Sequence, residues 1–354
     1  MSLSKHWAAV LDDYVIALAW SPDGALLAAA SAAGSVTLFD PAAGTVRHLL
    51  AGHDSGTNCL AWSPDGAVLA TGGQDGKVKL WNPVAGALVR EVALGSPWVE
   101  HLAWRPPSVL QTSTFELQLL IAAAGRKLVA LRPDGSVAHT YKDAPKTISA
   151  LAWRPDGSVC ATACFGSVVL WRADDFSSAK EFAYGNAILA VTWSPDGRWL
   201  VAGCQDNAVH LWAPDEDHEL HMSGYESKLN VLSFSPDAKW LATGGGRDAC
   251  IWDCAGAGPA DREPLLLPHE ARVCAVAFQH HAGIVATAAA DGEFCLWEPA
   301  KKNPLLAQVR MPSPATHFAW RPDDSLVAAG TEKGALFVFK LEHVRRENRP
   351  LAGA

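Results

Sequence analysis

The sequence is short of charge. Of its 354 residues only 19% are Asp, Glu, Lys or Arg, and the acids outnumber the bases, leaving a net charge of −8. A general nucleic-acid binder gains affinity from Lys and Arg neutralising phosphates, so no nucleic-acid partner is expected. Long apolar runs are missing as well. Nowhere do about 18 uncharged apolar residues follow one another, so no bilayer-spanning helix and no membrane partner are expected. The first residues, MSLSKHWAAVLDDY, lack a cationic segment followed by a long apolar stretch and do not read as a secretion signal. A disulfide framework is also absent from the pattern. The eight Cys are scattered, several in strand-like segments (Cys59, Cys250, Cys274, Cys295), which suits buried free thiols in a cytoplasmic protein. Tyr and Met are scarce, at 4 and 3.

Tryptophan is abundant instead. The 15 Trp outnumber Phe and Tyr, and six of them recur in one phrase. It reads LAWSPDG at 18–24 and 60–66, LAWRPP at 102–107 and LAWRPDG at 151–157. It continues as VTWSPDG at 191–197, LSFSPDA at 232–238, VAFQHHAG at 276–283 and FAWRPDD at 318–324. The aromatic anchors are Trp20, Trp62, Trp104, Trp153, Trp193, Phe234, Phe278 and Trp320, spaced by 42, 42, 49, 40, 41, 44 and 42 residues. A period of 40–45 is that of a four-stranded propeller blade, and eight anchors predict eight blades. Within each unit an apolar strand runs into a Ser/Arg-Pro-Asp-Gly turn. There Pro presets φ and Gly accepts a positive φ, so the chain reverses into a hairpin. A second strand of small and β-branched residues follows (VLATGG, WLVAGC), then a third ending in an aromatic (VKLW, VHLW, FCLW), then a polar turn and a fourth strand. Small residues are expected where blades converge on the axis.

These residues resemble the WD40 repeat family over nearly the whole chain. The resemblance implies an all-β fold, a closed WD40-type β-propeller of eight four-stranded blades. The dipeptide that names the family survives strictly only as Trp252–Asp253, and its Gly-His as Gly52–His53, partly as Pro268–His269. By that resemblance a structural network of His53, Thr71, Asp75 and Trp81 is expected in blade two, and of His269, Thr287, Asp291 and Trp297 in blade seven. The other six blades lack the His and should lean more on apolar packing. Blade three diverges most, with Leu131 where the aromatic belongs.

Closure is expected from the chain ends. The eighth unit has only three strands, and the N-terminus supplies an orphan, residues 5–11. Pairing that strand as the outer edge of the last blade completes the ring and removes costly open edges. Residues 1–344 thus read as one propeller and 345–354 as a flexible tail. Two insertions, 106–116 and 253–263, are expected on the face opposite the Gly-His loops.

No catalytic motif survives inspection. TGGGR at 243–247 lacks the Lys-Ser/Thr of a phosphate loop, His269–Glu270 has no second His four residues on, and there is no GxSxG elbow. The expectation is a non-catalytic scaffold for one or more partner proteins, without a cofactor and monomeric on its own. An alternative is an accessory protein that binds metal or a small ligand through His101 and His317, each three residues before its anchor, with Cys59 from a neighbouring blade. In the resembled family the binding face is lined by residues just ahead of each first strand. Here these are Tyr14, Gly56, Trp98, Thr147, Ala187, Lys228, Arg272 and Pro314, with Asp12, Asp54, Glu226 and Glu270 two residues earlier. Tyr14, Asp54, Trp98, Glu100, Lys228 and Arg272 are the candidate partner contacts, since aromatic and Arg side chains most often carry interface energy.

Overall fold

The computed structural model describes residues 2–107 and 118–342. Eight antiparallel sheets of four strands each stand around a common axis, and no helix occurs among the described residues. Seven sheets are simple meanders of four consecutive strands. In the eighth, Ser2–Val10 pairs with Ala335–Glu342 as the outer strand, from Ser2 opposite Glu342 to Val10 opposite Ala335. The closing strand is thus longer at its start than the predicted 5–11. Its Trp7 is buried, stacks at a tilt on Phe39 of blade one (5.5 Å) and donates its indole N–H to the Pro41 carbonyl at 2.8 Å. Gly44 makes this approach possible. Its φ is +69°, and a Cβ there would lie 2.6 Å from the Trp7 ring.

The innermost strand of each blade ends on the anchor, as in Val15–Trp20, Thr57–Trp62 and Ala315–Trp320. The second strands (LAAAS, LATGG, LIAAA, LVAGC, VATAA) are wholly buried, and their small side chains fit the space left between converging blades. Apolar clusters bridge neighbouring blades, for instance Val78, Leu80 and Val99 with Trp104 and Leu120.

The anchors do more than fill space. Each Trp anchor donates its indole N–H to the carbonyl just before the anchor of the preceding blade. Trp62 bonds Ala19, Trp104 bonds Ala61, Trp153 bonds Ala103, Trp193 bonds Ala152, Trp320 bonds Ala277, and Trp20 bonds Ala319 across the closure, all at 2.9–3.2 Å. Phe234 and Phe278 have no N–H to give. At the seam of blades six and seven, Ser233 Oγ accepts the Phe278 backbone N–H instead, at 2.9 Å.

The Ser-Pro-Asp-Gly turns close as the sequence implies. Ser21 Oγ donates to Asp23 (2.6 Å) and accepts from the Leu26 N–H (2.9 Å), while Gly24 takes a φ of +67°. Where Arg replaces Ser the side chain also reaches the next blade. Arg105 Nε reaches the Gly157 carbonyl of blade four (2.7 Å), and Arg321 Nε the Gly24 carbonyl of blade one (3.0 Å).

The insertion at 253–263 lies on this turn-bearing face, opposite the Gly-His loops. Its Gly258 packs over the buried Trp199 ring of blade five. Most of the other insertion, 108–116, and the tail at 345–354 fall outside the described residues. All eight Cys are free thiols.

Candidate functional site

Three sets of side chains stand out: the network behind the Gly-His loops, the innermost strands, and the turns ahead of them.

In blade two the His53 side chain is fully buried, donates from Nδ1 to Asp75 Oδ1 (2.9 Å) and meets Thr71 Oγ1 at Nε2 (2.8 Å). Trp81 donates its indole N–H to the same hydroxyl at 2.9 Å. Burial is the main cause that holds the His53 pKa below its ordinary value. Blade seven repeats the arrangement with His269, Thr287 and Trp297, at 2.8 and 2.7 Å. Its acid differs from the expected one. His269 Nδ1 pairs with Glu293 Oε2 at 2.8 Å, whereas Asp291 turns to Arg310 (2.7 Å) and to the Glu293 backbone N–H (3.1 Å). Glu293 starts the third strand, so its longer side chain reaches back to the imidazole while the turn Asp serves the turn.

Blades without the His are expected to lean more on apolar packing, and two of them also keep a polar residue at the same place. In blade six Tyr225 stands nine residues before its anchor, the offset of His53 and His269. Its hydroxyl accepts the Trp252 indole N–H (2.7 Å) and bonds Thr243 (3.0 Å). In blade five Tyr184, at the same offset, donates to Asp206 at 3.0 Å. Blade four keeps the Trp171–Thr162 bond at 2.9 Å without either residue. The constant offset was the available signal, and it is visible only once Tyr is accepted as a substitute for His.

On the innermost strands the pairing register skips one residue in seven blades, between the first and third positions. The skipped residue is left without a ladder partner and free to bridge blades. Asn58, Ser149 and Thr316 each donate to the first carbonyl of the next blade's strand, at 3.3, 2.6 and 3.1 Å. Glu100 holds this position in blade three. A carboxylate has no proton to donate there, and it stays exposed with its pKa raised by desolvation. His101, the next residue, is half-buried, and desolvation lowers its pKa to about 4, so the ring is neutral near pH 7. His317 keeps solvent contact, yet surrounding atoms crowd it enough for desolvation to lower its pKa too. Desolvation raises the Cys59 thiol pKa, so that group stays protonated. Among the described residues His101, His317 and Cys59 do not converge on a common point. The one trio whose ligand atoms lie within 4.8 Å of one another is His269, Glu293 and Cys295.

The turns ahead of the innermost strands form one face of the ring. Tyr14 (46% exposed) and Trp98 (51%) stand out of it, and Asp54, Lys228 and Arg272 are exposed on the turns of other blades. Five of the eight turns are pinned from below. The carbonyls of Tyr14, Gly56, Ala187, Arg272 and Pro314 each accept an N–H from the second turn of their own blade, at 2.9–3.3 Å. Trp98 follows Gly95 and Pro97, whose carbonyls lie against Gly76 of blade two. Glu100 belongs to the strand below rather than to this rim.

A ring of eight four-stranded blades, closed by its first strand and tied from blade to blade, defines a β-propeller. The model of the WD domain, G-beta repeat, matches residues 2–40, 44–82, 178–213, 218–253 and 263–298, more than half of the chain, and the chain belongs to the WD40 family. WD40 propellers generally serve as protein-interaction scaffolds. No curated protein matches the chain. Each matched stretch begins in the outer strand of one blade and ends in the third strand of the next, which is why 2–40 supplies the outer strand of blade eight. The unmatched stretches hold blade three, most of blade four and most of blade eight.

Proposed function

We propose that this propeller is a non-catalytic scaffold that holds a partner protein on the face made by the turns ahead of the innermost strands. Trp98 is the principal contact, Tyr14, Asp54, Lys228 and Arg272 stand on the turns of other blades on the same face, and Glu100 lies just below Trp98. The observation that carries the reading is the exposure of two aromatic rings on a face where five of the eight turns have their backbone held by hydrogen bonds from below. Such a surface loses little conformational freedom on binding, so contact energy is not spent on ordering the loops. Tyr and Trp give large apolar contact with a polar tip, and the mixed charges around them add orientation. The free thiols support a cytoplasmic setting, and a monomeric ring leaves the whole face open.

The test is affinity capture from native extract with wild type and Trp98→Ala, read by mass spectrometry. A partner retained by wild type and lost by the variant, with the melting temperature unchanged, supports the reading. Equal capture by both, or a large fall in melting temperature, contradicts it.

A further inference from the structure

The two buried histidines occupy equivalent places in blades two and seven but have opposite surroundings. Opposite Thr71 on the third strand of blade two stands Lys79, and opposite Thr287 in blade seven stands Cys295. Two residues earlier on those strands stand Lys77 and Glu293. Blade two therefore brings ammonium groups of its own to the imidazole and Asp75. Lys79 lies near enough to depress the His53 pKa and bonds the Gly52 carbonyl, while Lys77 pairs with Glu91 at 2.7 Å. Blade seven has exchanged both lysines, for a carboxylate and a thiol. Blade six has a Cys at the matching place, Cys250 opposite Thr243, but Tyr225 where the His would be. Blade seven joins imidazole, carboxylate and thiol in one place.

We infer that His269, Glu293 and Cys295 form a binding site for one borderline-soft divalent metal ion of the zinc class. One nitrogen, one oxygen and one sulfur lie within 4.8 Å of one another. Tetrahedral zinc, with bonds of about 2.0–2.2 Å to N and O and 2.3 Å to S, sets its ligand atoms about 3.3–3.6 Å apart. The imidazole and carboxylate, at 2.8 Å, must therefore separate by about half an ångström from their present hydrogen bond. Glu293, with 23% of its side chain exposed, can make that movement and opens the way for the ion and a bound water. The nearby cation does not compete. Arg310 faces Glu293 across the strands, but its guanidinium is held by Asp291.

The protons balance. In the metal-free form Nδ1–H donates to Glu293. On binding, Nδ1 gives its lone pair to the metal, the ring proton moves to Nε2, which donates to Thr287 Oγ1, 2.8 Å away, and the hydroxyl proton that had pointed at Nε2 turns away from the ring. Metal-bound histidines commonly hold their second nitrogen in this way. The Cys295 thiol releases one proton to water as the sulfur–metal bond forms, and the ion sheds the waters it exchanges for the three ligands. The bound ion would clamp the loop ahead of the innermost strand to the third strand of blade seven.

The test uses the full-length protein stripped of metal with a chelator and titrated with cobalt(II), then zinc(II). The expected result is one equivalent of cobalt with a thiolate-to-cobalt charge-transfer band, displaced by zinc. Cys295→Ser should abolish the band, and Cys250→Ser and Cys254→Ser should keep it. Glu293→Gln, at a partly exposed position that tolerates the change, should weaken zinc binding at least about tenfold. That variant keeps the test decisive if Cys295→Ser does not fold. No thiolate band in wild type, a band that survives in folded Cys295→Ser, or unchanged zinc affinity in Glu293→Gln would each overturn the assignment.

Discussion

Blades eight and one to five carry a Trp anchor, and blades six and seven carry Phe in the same place. Both rings wedge against the neighbouring blade. Only the indole also ties it, through an N–H bonded to the preceding blade's carbonyl across six seams. The seam between blades five and six has no indole tie, and the innermost strand of blade six is the shortest, three residues (Leu232–Phe234) with no skipped position. Blades six and seven are braced within themselves, by Tyr225–Thr243–Trp252 and by His269–Thr287–Trp297, a brace that blade two carries in addition to its indole tie. One aromatic position thus serves the ring in two ways. Where it donates across a seam it stiffens the circle, and where it cannot, the braces inside the blades carry more of the cohesion.

The largest expected effect comes from breaking the circle outright. Deleting residues 2–10 removes the outer strand of blade eight together with Trp7, exposing the edge of Ala335–Glu342. The melting temperature should fall by more than about 5 °C, since each kcal/mol is worth about 1–2 °C in a chain this large. A truncated protein that melts with the intact one would contradict ring closure as the source of stability.

Next in size is an acid sensitivity placed within the tied arc. The His101 pKa lies at about 4 when folded, below its ordinary 6.5, so the unfolded chain binds more protons between those values. Stability contributed by the neutral ring is complete above pH 6.5 and is lost as pH falls to about 4, amounting to about 3 kcal/mol. Urea denaturation of His101→Ala, which matches the Ala of most other blades, should show a flatter pH profile over that window. An unchanged profile would remove His101 from the account.

Within the braced blades, Thr287→Val strands both the Trp297 indole and His269, and should cost about 2–3 kcal/mol. Thr162→Val in blade four strands only Trp171 and should cost about half as much, about 1 kcal/mol. Denaturant midpoints of the pair read the difference directly, and equal losses would mean the imidazole adds nothing. The smallest effect is expected from Trp62→Phe, which turns a tied seam into an untied one and leaves the Ala19 carbonyl without its donor. About 1 kcal/mol should be lost, with no loss for Phe278→Leu beyond its packing.

Much of this was legible in the sequence because repetition makes it so. The anchor period fixed the blade number, and the orphan N-terminal strand with a three-stranded last unit implied closure. The Ser-Pro-Asp-Gly turns were readable because each residue answers a local demand of φ or hydrogen bonding. What escaped was the use of those residues across blades. Nothing local in LAW announces that its indole bonds an alanine carbonyl about 42 residues earlier, because that contact exists only once neighbouring blades are set side by side. Arg105 and Arg321 read as neutral variants of a turn Ser for the same reason. Tyr225 was hidden by a rule phrased in terms of His, and Glu293 by one phrased in terms of a turn Asp. A longer acid one strand-step on reaches the same imidazole, and side-chain reach is not a property of spacing alone. Trp98, Tyr14 and Arg272 were legible as turn residues, whereas the pinning of the turn backbones under this face required the second turns of each blade to be in place.

Hydrogen exchange of the native protein, resolved to peptides, tests the unequal ring most directly. Amides of the innermost strands of blades two to four, Thr57–Trp62, Val99–Trp104 and Ile148–Trp153, should be the slowest to exchange. Those of Leu232–Phe234 and of the seam it makes with blade five should open first. Protection that is uniform around the ring, or highest at blade six, would contradict the claim that the tryptophan ties set where this propeller is stiff.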